Sequence, residues 1–441
     1  MMTDITELLH ADPKPCPDCG KIHRAGVKEV CVESGALQKL PYYVRKYQGT
    51  KVFLLADKNT WTVAGEKAVE ILTANGIPTT PYVLNSTRAE PDEHAVGSVA
   101  MHMDTSCDFF VSVGSGVIND IGKAISNLCK LPYIIVGTAP SMDGYASATS
   151  SVIRDSLKYS LSTRCADVVI GDLDVLCQAP QRMICAGVGD LIAKYVSICE
   201  WRISALLNGE YFCEVIADQV NQALKSCVDN LDGIINREPE AIRTVMDGMV
   251  LAGMSMNFAG VSRPASGMEH YISHIFDMRG VEFNTPVDLH GIQCGIATVS
   301  ALRLYEKLRE IKKPDREKAL AYVKAFDLNE WNDFLREKLG SAAETMIELE
   351  EKEQKYNVEL HAKRLETLID KWDEVLAIIN KLPSADAVAK MLAHIGAPTS
   401  FEEIGFTAQD EKDAIRMSKD IRYKYVGSHL LWDLGLLEEF I

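Results

Sequence analysis

No stretch of the 441-residue chain reaches 18 consecutive apolar, uncharged residues, so the sequence offers no candidate membrane span. The opening MMTDITELLHADPKPCPDCG lacks the basic and apolar regions of a secretory signal. Positive charge is in deficit: 46 Lys and Arg against 62 Asp and Glu give a net charge of −16. That deficit argues against nucleic acid or an anionic membrane as the principal partner. Internal repeats and low-complexity tracts are also lacking. With 47% hydrophobic and 24% charged residues, the composition is that of an ordinary globular protein. The twelve cysteines lie scattered in apolar segments. They read as reduced core thiols of a cytoplasmic enzyme rather than a disulfide framework. Two signatures are incomplete. GxGxxG fails because Asn119 takes the third glycine position, and HExxH fails because Tyr271, not Glu, follows His270.

What is present is a change of pattern along the chain. KVFLLAD (residues 51–57) is a strand-like run, and TWTVAGEKAVEILTANG follows with helical spacing and a capping Gly76. TPYVLN, DFFVSVGSG, VINDIGKAISNLCK and LPYIIVGTAP continue the alternation, which predicts a doubly wound parallel sheet. A β-hairpin is expected in ASATSSVIRDSLKYSLSTRCADVVIGD. Past Pro180 the patterns turn helical to the C-terminus, so a domain boundary is expected near residue 178. The charged stretch ETMIELEEKEQKYNVELHAKRLETLIDKWDEVLAIINKL reads as a partly solvated amphipathic helix, with a coiled-coil partner site as the alternative.

Polar chemistry clusters after the strands. Gly114-Ser115-Gly116 joins a buried strand to a helix, where bare backbone and the helix dipole suit a pyrophosphate; a tight turn without ligand is the alternative. Asp57, ending an early strand, suits adenosine ribose hydroxyls and repels a 2′-phosphate, or caps a helix. Thr138, Ser141, Asp143 and Ser147 follow another strand, at the usual ligand edge of α/β sheets. Asp190, His270 and His290 form a donor set suited to a borderline divalent ion, although buried histidines are more often plain core residues. His270 and His274 share one helical face.

The ordered motifs GSGVINDIGK, GTAPSMDGYAS, GVGDLIAKY, SGMEHYISH and HGIQCGIAT resemble the superfamily of iron-type alcohol dehydrogenases, glycerol dehydrogenase and dehydroquinate synthase. Within it the chain most resembles the sn-glycerol-1-phosphate dehydrogenases, above all the bacterial type found with arabinose operons. The resemblance implies a dinucleotide-binding α/β domain (residues 51–178) and an all-helical metal- and substrate-binding domain (residues 179–441). It implies that Gly116, Val117, Ile118, Asn119, Asp120, Thr138, Ala139, Pro140, Ser141 and Ser147 contact NAD or NADP, with Asp57 on the ribose. Asp190, His270 and His290 would hold one metal, zinc or nickel. Asp143, Asp190 and His274 would face a phosphorylated substrate, and the enzyme would be a cytoplasmic homodimer or larger assembly. A glycerol dehydrogenase, a dehydroquinate-synthase-like cyclase and a non-catalytic nucleotide-binding regulator remain the alternatives.

The chain departs from many relatives in having Gly-Ser-Gly where they carry three glycines. Arg263 and Lys194 are candidate phosphate cations, read first as ordinary surface or packing groups. Residues 1–50 lie largely outside the motifs. Their Cys16, Cys19, His23 and Cys31 could close a small zinc site, but the spacing is unusual, and the sequence favours an extension without metal.

Overall fold

The computed structural model describes residues 5–86, 89–154 and 157–441. Its strands are β1 (Glu29–Glu33), β2 (Val52–Asp57), β3 (Thr79–Leu84), β4 (Phe109–Gly114), β5 (Tyr133–Gly137), β6 (Thr149–Arg154), β7 (Leu157–Ser162) and β8 (Val168–Asp172). Six of them form one sheet in the order β1-β8-β5-β4-β2-β3, every pair parallel. Strands β2, β4, β5 and β8 are apolar almost throughout because both faces of the sheet are covered. Alternate residues divide between those faces. Val52, Leu54 and Ala56 join Phe109, Val111, Val113, Ile134 and Val136 in one core, while Phe53 meets Phe110 and Phe110 meets Tyr133 on the other side.

β6 and β7 pair antiparallel as the expected hairpin; Asp155 and Ser156 lie outside the described residues. Gly76 takes the positive φ of 72° expected just past a helix end. After β8 all described regular structure is helical. By compactness the chain forms two units. The first runs to Leu191 and includes Val215–Ser262; the second comprises Ile192–Glu214 and Arg263–Ile441.

The single amphipathic helix expected over the charged stretch is three helices, Ala342–Glu353, Val358–Asp370 and Trp372–Ile379. Gln354 turns left-handed at φ 52°, and the Asn357 side chain restarts the helix by accepting from Leu360 N at 3.0 Å. A sequence period survives such a break, so periodicity alone does not register it.

The sheet order sets up the first unit's ligand edge. From β2 the chain moves outward to β3, then returns to place β4 on the other flank of β2 and β5 beyond it. The carboxyl ends of β2 and β4 are therefore a topological switch point, the usual ligand crevice of an open α/β sheet. Helix Gln181–Ile192 is seated on the loop after β5 at Gly187, where a Cβ would lie 1.8 Å from Pro140 O. Because that neighbour is backbone, Gly187→Ala must displace the loop. The variant is expected to lose about 1–3 kcal/mol in urea unfolding. An unchanged midpoint would show that the loop is not held there.

Candidate active site

Three loops at the switch point carry most of the dinucleotide candidates. Helix Gly116–Cys129 follows β4 directly, and its N-cap Ser115 makes no side-chain cap bond. A Cβ on Gly116 would meet nothing closer than Met142 Cγ at 3.5 Å, so the protein's own packing does not demand glycine there. A ligand lying against the bare helix start would demand it, and the exposed amides there suit a pyrophosphate. Gly122, one and a half turns on, is glycine for packing: its Cβ would lie 2.2 Å from Ser112 Oγ. This brings the helix down on β4, as the missing third glycine would have done.

The loop after β5 is tied to that helix start. Thr138 N donates to Gly114 O at 3.1 Å, and Tyr145 OH donates to Ala139 O at 2.6 Å and approaches Ser115 Oγ at 3.3 Å. Ser115 and Ser141 share a hydroxyl hydrogen bond. Ser141, Ala139 and Ile118 are buried, whereas Ser115, Gly116, Val117 and Asp120 are half-buried at the surface of the cradle.

Some predicted contact residues have structural work. Asn119 is fully buried, with Nδ2 donating to Gly144 O (3.0 Å) and Oδ1 accepting from Tyr133 OH (3.0 Å). Its side chain therefore braces the 143–146 turn. Lys123, also without solvent contact, donates to Gly144 O (3.1 Å), Ser147 Oγ (3.3 Å) and Thr149 O, and pairs with Asp120 at 3.1 Å. Ser147 is thus partly engaged by Lys123. Asp57 caps the following turn through Oδ1, which accepts from Thr60 N at 2.7 Å. Pro140 is buried, its carbonyl facing Gly187.

Asp190 lies one turn after Gly187, fully buried, with Oδ2 accepting from the backbone amide of Asp143 at 3.0 Å. The structure therefore brings these two acidic residues together within the first unit. A Cβ on Gly253 of helix Pro239–Ala259 would lie 2.6 Å from Asp143 O, so a glycine lets that helix support the Asp143 turn.

In the second unit, helices Met268–Phe283 and His290–Arg309 bring three histidines together. The rings of His270 and His290 are 5.0 Å apart, and those of His274 and His290 are 5.8 Å apart. Ligand atoms of His270, His290 and Cys294 fall within 4.8 Å of one another, as do those of His274, Asp277 and His290. The two imidazoles on the first helix differ in their support. His270 is buried and its Nδ1–H donates to Glu269 at 2.8 Å, which leaves Nε2 to face a metal. His274 is one-fifth exposed and its Nδ1 stands 3.8 Å from Asp277 Oδ2, a looser contact. Ser273 Oγ accepts from Gln293 Nε2 at 3.1 Å and lies 3.2 Å from His290 Nδ1, so His290 too is steadied on its Nδ1 side.

Glu269 also accepts from Gly267 N at 2.7 Å. Burial, followed by the charge of Glu269, raises the Glu200 carboxyl above its ordinary range. Burial pushes the Cys294 thiol up, but the His270 and His290 imidazoles outweigh it and the net shift is downward. The nitrogen and sulfur donors gathered here suit zinc or nickel better than magnesium. Arg263 is spent on Glu210 (2.8 and 2.7 Å), Ser204 Oγ and Tyr425 O, and Lys194 is fully buried and donates to Ala265 O at 3.0 Å. Cys294 was not singled out in the sequence, although its spacing of four from His290 repeats that of His270 and His274.

The profile of the iron-containing alcohol dehydrogenase family matches residues 31–180. A glycerol-1-phosphate dehydrogenase [NAD(P)+] of Halalkalibacterium halodurans is 33% identical over 66% of this chain and 73% of that protein. The chain belongs to the glycerol-1-phosphate dehydrogenase family. A Bacillus licheniformis member is 27% identical over 99% of this chain and 96% of its own length, so the family likeness includes the N-terminal region and the helical half. A Methanosarcina mazei member is 32% identical over 63% of this chain and 76% of that protein. Among solved structures, glycerol dehydrogenase from Schizosaccharomyces pombe superposes with a TM-score of 0.58 at 16% identity, covering 94% of this chain and 89% of that one. A 1,3-propanediol oxidoreductase does so at 0.61 and 15%, covering 94% and 98%. These likenesses establish the shared fold. Among the described residues, no helix is long and apolar enough to cross a membrane.

The different support of the two imidazoles in this family member has a measurable consequence. His270→Ala is expected to release the catalytic metal, while His274→Ala keeps it and loses turnover. Glu269→Gln should weaken metal affinity by about 10- to 100-fold, as loss of an orienting carboxylate does. Metal titration of the three variants checks this, and equal loss in the two histidine variants would contradict it.

Proposed function

We propose that the chain interconverts dihydroxyacetone phosphate and sn-glycerol 1-phosphate with NAD(H) or NADP(H) and one zinc or nickel ion. The observation that carries this reading is membership of the glycerol-1-phosphate dehydrogenase family, whose bacterial and archaeal members named above carry [NAD(P)+] in their names. The bare helix start at Gly116 supports a dinucleotide, and the oriented Nε2 of His270 supports a metal.

In this reading Gly116 to Asp120, Thr138 to Ser141 and Ser147 form the cofactor cradle, many of them through backbone. Asp57 serves the ribose with its carboxylate while Oδ1 caps the turn. His270 and His290 hold the metal together with Asp190, which is assigned on the sequence resemblance alone. When bound, the metal supplies a Lewis acid for the C2 carbonyl and the reduced nicotinamide supplies the hydride. Asp143 and Asp190 orient the substrate hydroxyls. His274, partly exposed and close to Asp277, exchanges a proton with the substrate oxygen. The enzyme acts in the cytoplasm as a homodimer or larger assembly.

The test is oxidation of NADH or NADPH by dihydroxyacetone phosphate, followed by chiral analysis of the product. The expected product is sn-glycerol 1-phosphate. Absence of oxidation, or a product of the 3-phosphate hand, would overturn the assignment.

A further inference from the structure

The N-terminal segment before β1 carries a second cluster of soft donors. In Cys16-Pro17-Asp18-Cys19-Gly20 the chain reverses. Gly20 N donates to Cys16 O and Cys16 N donates to Lys21 O, both at 2.9 Å. Gly20 takes φ 71°, a left-handed conformation that favours glycine directly after the second cysteine. The turn brings Sγ of Cys16, Sγ of Cys19 and a ring nitrogen of His23 within 4.8 Å of one another. Cys19 Sγ and His23 Nε2 are 3.2 Å apart. Ligands of one tetrahedral zinc, at about 2.3 Å for sulfur and about 2.0 Å for nitrogen, stand roughly 3.5 Å apart. The donors thus already stand near the spacing that ligands of one zinc ion take. Cys31, the other donor of this region in the sequence, lies on β1 in the hydrophobic core and is not part of the group.

We propose that Cys16, Cys19 and His23 bind a structural zinc ion, additional to the catalytic metal. Binding joins both thiolates and His23 Nε2 to the ion and releases the thiol protons to solvent. Two thiolates and an imidazole make a soft set that selects zinc over the hard cations. The ion's task follows from what the segment touches. The His23 ring stacks on Phe258 with centroids 5.6 Å apart, and Asn257 Nδ2 donates to Ala25 O at 2.6 Å. The same amide donates to Ala146 O at 2.7 Å, at the end of the turn that carries Asp143. Zinc here holds in one arrangement the segment whose His23 ring and Ala25 carbonyl contact the end of the helix that braces the Asp143 turn.

The test is metal analysis of the full-length protein purified under reducing conditions. Wild type is expected to hold one zinc per chain more than Cys16→Ser/Cys19→Ser, and His270→Ala should keep that zinc. The outcome is therefore independent of the catalytic-metal assignment. Cobalt substitution in the His270→Ala background should give thiolate-to-metal absorption in the near ultraviolet that the added serine pair abolishes. Should the serine pair fail to fold, His23 variants decide: His23→Cys retains zinc against a chelator and His23→Ala releases it. Equal zinc in wild type and the serine pair would overturn the proposal. So would a Cys16–Cys19 disulfide in the reduced preparation, or His23→Ala and His23→Cys releasing zinc alike.

Discussion

One ammonium group with no contact to solvent holds the ligand edge of the first unit together. Lys123 reaches out of the helix that starts at Gly116 and donates to Gly144 O, Ser147 Oγ and Thr149 O, beside the Asp120 carboxylate. A buried charge is tolerable only when it is paired and fully hydrogen-bonded, and here the bonds are also the structure. They connect the helix that starts at Gly116 with the turn that carries Asp143. Asn119 repeats the connection one turn earlier through Gly144 O. Gly122 lets the helix close onto β4, and Gly187 lets the next long helix close onto the loop after β5.

The second unit is arranged differently. The imidazoles proposed as metal ligands are each backed by buried groups: Glu269 on His270, and Ser273 with Gln293 on His290. Glu200 accepts from Met268 N at 2.8 Å and from Tyr305 OH at 2.8 Å, so the start of the histidine helix is itself held by a buried carboxylate. Such support fixes tautomer and direction, the properties a ligand needs beyond its identity. His274 differs from His270 in being one-fifth exposed, with its Nδ1 3.8 Å from Asp277 Oδ2.

Much of this was legible in the sequence, for reasons that can be stated. Strands β2, β4 and β5 are covered on both faces, so they appear as short unbroken apolar runs, and the polar loops after them mark the ligand edge. The spacing of four between His270 and His274 survives folding because a helix preserves it. What stayed hidden depends on contacts distant in the chain. Nothing in the sequence marks Lys123 as buried, and only the fold shows three acceptors around it. Asn119 reads as a damaged glycine position, yet Gly122 takes over the close packing. The breaks at Gln354 and Lys371 leave the helical period nearly intact, so three helices read as one.

In the proposed site His270 and His290, oriented from behind, hold the catalytic metal. Anomalous X-ray scattering at the ion's absorption edge, from crystals of the metal-loaded enzyme, shows whether they do. A peak bonded to His270 Nε2 and His290 is expected, with Glu269 still hydrogen-bonded to His270 Nδ1. A fully loaded, active enzyme whose catalytic ion is not bonded to these two imidazoles would contradict it.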